Sequence, residues 1–134
     1  MVPPSATAHI LIVDDDEAIR RSLLAWTKSL GIDAIAYDSY ESCVEGLRRQ
    51  DFTLQASPTA HPITQAIIDV TLPGESGLAL FEVLSPPLTR DQVVLITARA
   101  DDLPHSSRDR NEANFRHVLK KPFDLDELES LLGL

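Results

Sequence analysis

The chain has 134 residues, 43% of them hydrophobic and 25% charged, with a formal net charge of -9. That length suits one domain able to bury roughly two-thirds of its unfolded surface, and the composition excludes a disordered or fibrous chain. The acidity argues against binding nucleic acid, whose phosphates demand a basic surface. No stretch approaches a transmembrane span, residues 1–8 lack the basic and apolar segments of an export signal, and Cys43 is the only cysteine. A lone cysteine excludes an internal disulfide and a cysteine metal cage and fits a reducing cytoplasm.

Four short apolar runs each stop at a polar side chain of a different kind. The first, Ile10 to Val13, ends at Asp14-Asp15-Asp16. Asp16 is placed to cap a helix whose apolar positions Ile19, Leu23, Trp26 and Leu30 follow helical spacing, with Gly31 where a C-terminal cap is wanted. Ile32, Ile35 and Tyr37 predict a short second strand, and Ser39 opens a second helix with Cys43, Val44 and Leu47 on one side. Residues 50–65 read as a long loop. The second apolar run, Ala66 to Ile68, ends at Asp69, and Leu72-Pro73-Gly74-Glu75-Ser76-Gly77 turns the chain into a helix carrying Leu78, Phe81 and Leu84. Pro86-Pro87 stops it. The third run, Val93 to Ile96, ends at Thr97 and is followed by a polar segment assigned to a further helix. The fourth run, Val118-Leu119, ends at Lys120-Lys121. Asp124, with Glu127 three residues on, predicts a capping box for a last helix carrying Leu125, Leu128, Leu131 and Leu132.

Five strands alternating with five helices predict a doubly wound α/β domain over 1–134, since each parallel connection crosses over through a helix. With strand order 2-1-3-4-5, the flavodoxin-like order, the switch point falls between the first and third strands. Strands lie about 4.8 Å apart, so Asp14, Asp15 and Asp69 converge there. Such a set suits Mg²⁺, which takes one or two carboxylates, keeps several waters and accepts phosphate oxygens. Three carboxylates in one crevice repel one another, so at least one pKa is expected to rise. Thr97 offers a hydroxyl to a phosphoryl oxygen, and Lys121, about two strand spacings off, can reach the anion. Asp69 would act as nucleophile toward phosphorus.

With these residues in place, the chain resembles the receiver domains of two-component response regulators. The matching motifs are Val13-Asp14-Asp15-Asp16, the stretch from Asp69 to Gly77, Thr97-Ala98 and Lys121-Pro122-Phe123, in family order and spacing over residues 8–132. The resemblance implies Asp69 as phosphoacceptor, with Asp14, Asp15, Asp69 and the Thr71 carbonyl as metal-binding groups. Asp15 would bind the metal directly and Asp14 mainly through water. Thr97, Ala98 and Lys121 become the phosphate-binding and switch positions, Lys121 rather than Lys120 because it directly precedes the proline. The resemblance also implies a histidine kinase or histidine phosphotransfer protein as phosphodonor, output through altered partner binding rather than turnover, and a homodimer on phosphorylation.

The chain departs from the family in three places. Val118 stands where the aromatic switch residue is usual, Asn114-Phe115 replaces a small Gly-Ala pair, and the loops before the third and fifth strands are extended. Between 99 and 121 there are six Lys/Arg and four Asp/Glu, a local balance of +2. These features motivate an alternative, a phosphorylation-independent interaction module taking an anionic ligand on the Arg-containing 99–121 segment. An aspartyl-phosphate phosphatase is disfavoured because Thr71 stands where a second Asp is usual, and a flavin binder because the acidic crevice would repel its phosphate. The four histidines have no metal-ligand spacing, and Trp26 and Cys43 read as core.

Overall fold

The computed structural model describes residues 9–54, 62–98 and 117–134. Five strands form one parallel sheet: β1 (His9–Val13), β2 (Asp33–Tyr37), β3 (Gln65–Asp69), β4 (Val93–Thr97) and β5 (His117–Lys120), in the order β2-β1-β3-β4-β5. The expected order is therefore the observed one. Four helices are described: α1 (Glu17–Ser29), α2 (Tyr40–Arg48), α3 (Gly77–Leu84) and α4 (Leu125–Leu132), with a short 3₁₀ turn at Arg90–Gln92 before β4. The helix expected between β4 and β5, and the Arg-containing stretch up to residue 116, lie outside the described residues.

Alternation along each strand splits the core into two layers. Leu11, Val13, Ala66, Ile68, Val93 and Leu95 face the α2 and α3 side, where they meet Cys43, Leu80, Phe81 and Leu84. Ile10, Ile12, Ile67, Val94 and Ile96 face the α1 and α4 side, with Leu23, Trp26, Leu119, Leu128 and Leu132. Strands buried on both faces read as unbroken apolar runs, which is why β1, β3 and β4 stood out in the sequence.

The helix boundaries have local causes. Asp16 accepts from the N–H groups of Ala18 (2.9 Å) and Ile19 (3.3 Å) at the start of α1. Ser39 and Ser42 cap α2 reciprocally. Leu30 differs from its expected inward role: it is the capping residue at the end of α1 and is 39% exposed, whereas Thr27 is buried. Leu125 is likewise exposed in the first turn of α4. Gly77 opens α3 where its Cα approaches the Asp69 carbonyl, and a Cβ there would collide with that oxygen and with Ile68. Its lack of a side chain lets α3 start directly beside the end of β3. No helix among the described residues is long and apolar enough to cross a membrane.

Candidate functional site

Beyond the carboxyl ends of β1, β3 and β5, the chain gathers Asp14, Asp69 and Lys121. Asp14 extends the β1 ladder by one residue, its N–H donating to the Tyr37 carbonyl at 3.1 Å, and it is 1% exposed. Asp69 closes β3 and is 4% exposed. Lys121 follows β5, fixed by its N–H donating to the Thr97 carbonyl at 2.7 Å. From there its Nζ lies 2.8 Å from Asp69 Oδ2 and 3.0 Å from Asp14 Oδ2. The long side chain thus spans the strand that separates it from β3. Lys120, in register with Thr97, is exposed at the strand end.

Each buried carboxylate is also tied to its own loop. The Asp16 N–H donates to Asp14 Oδ1 at 2.8 Å, and the Thr71 N–H donates to Asp69 Oδ1 at 2.9 Å. Both contacts close a turn of two residues, so the β1–α1 and β3–α3 loops wrap around the carboxylates they carry. A Thr71–Ser76 bridge narrows the second loop, and Gly74 at φ 84 makes its turn. Thr97 is 1% exposed at the end of β4, while Asp15, Thr71 and Ala98 are exposed at the rim.

The electrostatics follow from burial. The Asp14 carboxyl is raised above its ordinary pKa chiefly by desolvation, with the Asp69 charge adding to it and the Asp16 N–H and Lys121 opposing it. The expected rise is therefore present, with burial rather than repulsion as its main cause. Lys121 is partly desolvated, which lowers its pKa, but hydrogen bonds and charges from Asp69 and Asp14 outweigh that and leave it raised.

Asp14 Oδ2 is a buried oxygen outside hydrogen-bonding geometry with any donor among the described residues, its proximity to Lys121 being ionic only. Carboxylate oxygens of Asp14, Asp15 and Asp69 all lie within 4.8 Å of one another. A buried acceptor with spare capacity, two further carboxylates and an exposed rim that admits water fit a small hard cation. One contributor carries no motif in the sequence. Arg20, on the first turns of α1, donates from Nη1 to the Asp14 carbonyl at 2.8 Å. Its only signal was a basic residue four positions after the capping Asp16.

Residues 10–132 match the family model of the response regulator receiver domain. The chain belongs to that family. The transcriptional regulatory protein AruR of Pseudomonas aeruginosa is 30% identical over 97 residues, covering 71% of this chain and 36% of AruR. The receiver chain thus spans about a third of that relative's length, and 47% of a second, the transcriptional regulatory protein YkoG of Bacillus subtilis, at 29% identity over 122 residues and 90% of this chain. Among solved structures, the response regulator StyR superposes with a TM-score of 0.69 at 26% identity, covering 95% of this chain and 58% of StyR. The response regulator TrrA of Thermotoga maritima, solved in complex with Mg²⁺-BeF, shares the fold with a TM-score of 0.68 at 22% identity over 94% of this chain and 96% of its own.

Proposed function

We propose that residues 1–134 act as one receiver domain, in which Asp69 accepts a phosphoryl group from a histidine kinase or histidine phosphotransfer protein. The observation that carries this reading is the Lys121 ammonium bridging Asp69 and Asp14 in a crevice ringed by family motifs. A carboxylate oxygen of Asp69 attacks phosphorus, the bond from phosphorus to the donor imidazole nitrogen breaks, and its electron pair stays on the imidazole. Two donors, the Thr71 N–H and Lys121 Nζ, orient the Asp69 carboxylate for this attack.

Asp14, Asp15, Asp69 and the Thr71 carbonyl would hold Mg²⁺, which supplies charge neutralisation for the phosphoryl oxygens. Lys121 then pairs with the phosphoryl group, and Thr97 and the backbone at Ala98 bind its remaining oxygens. Phosphoryl transfer needs little beyond such positioning and charge, so the output is altered partner binding rather than turnover. Val118 packs half-buried against the layer on the α2 and α3 side, in register with Leu95. A Val side chain has one χ angle and no ring, so the site's state is reported without the usual aromatic rotation at that position.

Incubation with Mg²⁺ and acetyl phosphate is expected to add the mass of one phosphoryl group to the wild type and none to Asp69→Ala. An equal gain in both, or none in either, refutes the assignment.

A further inference from the structure

Asp14 is held at three points besides its ion pair. Its N–H goes to Tyr37, its Oδ1 accepts from Asp16, and its carbonyl accepts from Arg20 Nη1 at 2.8 Å. The third contact is the informative one. The Asp14 carbonyl belongs to the peptide that joins Asp14 to Asp15, at the point where the chain leaves the β-ladder and bends toward α1. Rotating that peptide would swing the exposed Asp15 carboxylate away from Asp14 and Asp69. Arg20 is well placed to prevent it, since its own N–H donates to the Asp16 carbonyl at 3.0 Å, which builds it into the capped start of α1.

We propose that Arg20 is a positioning residue for the acidic pair: by fixing the Asp14–Asp15 peptide it holds three carboxylates in cation-binding geometry, and so sets the Mg²⁺ affinity of the site. This rests on the reading of the crevice as a Mg²⁺ site. The guanidinium exerts two effects of opposite sign. As a positive charge it repels a cation, and as a hydrogen-bond donor it arranges the ligands that attract one. Because the guanidinium is bound directly to the peptide it fixes, at 2.8 Å, positioning is taken as the larger effect.

The opposite signs make the test decisive. Mg²⁺ affinity of the full chain is measured by titration calorimetry, with thermal melts run in parallel. Arg20→Met, which removes both charge and donor, is expected to bind Mg²⁺ about tenfold more weakly, as loss of an outer-shell partner does. Arg20→Lys, which keeps the charge and a donor of similar reach, is expected to stay within about threefold of wild type. A Met variant that binds as tightly as wild type or more tightly overturns the proposal, and so does one whose only change is a lower Tm. If Arg20→Met does not fold, Arg20→Gln takes its place: weaker binding supports positioning, and equal or tighter binding refutes it. Failure of the wild type itself to bind Mg²⁺ refutes the site reading, whereas binding that no Arg20 variant weakens refutes only the role of Arg20.

Discussion

The two ends of the sheet hold their polar groups in different ways. At the amino end several contacts are neutral and paired: the Thr64 N–H donates to the His9 carbonyl at 2.9 Å, Gln92 Nε2 to the Thr64 carbonyl at 3.1 Å, and Gln65 Nε2 to the Leu132 carbonyl at 2.6 Å. The last of these ties the end of α4 to β3. At the carboxyl end, two buried carboxylates share one ammonium, and among the described residues Asp14 Oδ2 meets only the Lys121 charge, as an ion pair at 3.0 Å. Neutral paired contacts add rigidity at modest cost, whereas a cluster of buried charges favours a ligand that balances it. The two buried carboxylates and the ammonium they share lie at the carboxyl end.

That contrast breaks most sharply at Lys121. Lys121→Met leaves Asp14 and Asp69 without their counter-charge and is expected to lower stability by about 3 kcal/mol in urea denaturation at neutral pH. Added Mg²⁺ should recover part of this loss. A variant as stable as wild type, with or without Mg²⁺, would show that the carboxyl end carries no charge conflict.

At the amino end, Gln65→Ala should cost about 1 kcal/mol, the net worth of one hydrogen bond, and leave Mg²⁺ affinity unchanged. A change in affinity would mean that the two ends are coupled.

The last effect has the opposite sign. Asp14→Asn keeps an acceptor for the Asp16 N–H but removes a carboxylate whose ionisation is costly, so it should raise stability by about 1 kcal/mol while weakening Mg²⁺ binding. Because the folded pKa of Asp14 is raised, the native state holds its proton over a window where the unfolded chain has lost it. The Asp14 contribution therefore declines as pH rises from about 4 through that window, and Asp14→Asn should flatten the decline in melts at a series of pH values. An unaltered pH profile would contradict the assignment of the raised pKa to Asp14.

Much of this was legible because parallel strands buried on both faces leave runs such as Ile10 to Val13 and Val93 to Ile96, each ended by the polar residue that reaches the crevice. Capping was legible too, since Asp16 and Ser39 act through neighbours a few positions away. The inward role expected of Leu30 failed because helical spacing does not say where a helix stops, and Leu30 falls on the cap. Arg20 was invisible because a basic residue on a helix is usually solvated, and its acceptor is a backbone carbonyl that no side-chain pattern marks.

The sequence by itself determined the alternation of strands and helices and the identity of the polar groups that end four strands, because burial periodicity and capping are local in the chain. Tertiary structure decided what those groups do to one another. It brought Lys121 within 3.0 Å of residues 52 and 107 positions away, buried Asp14 deeply enough to raise its pKa, and turned Arg20 toward the Asp14 carbonyl. Desolvation and ion pairing depend on distance and burial in space, and neither is written along the chain.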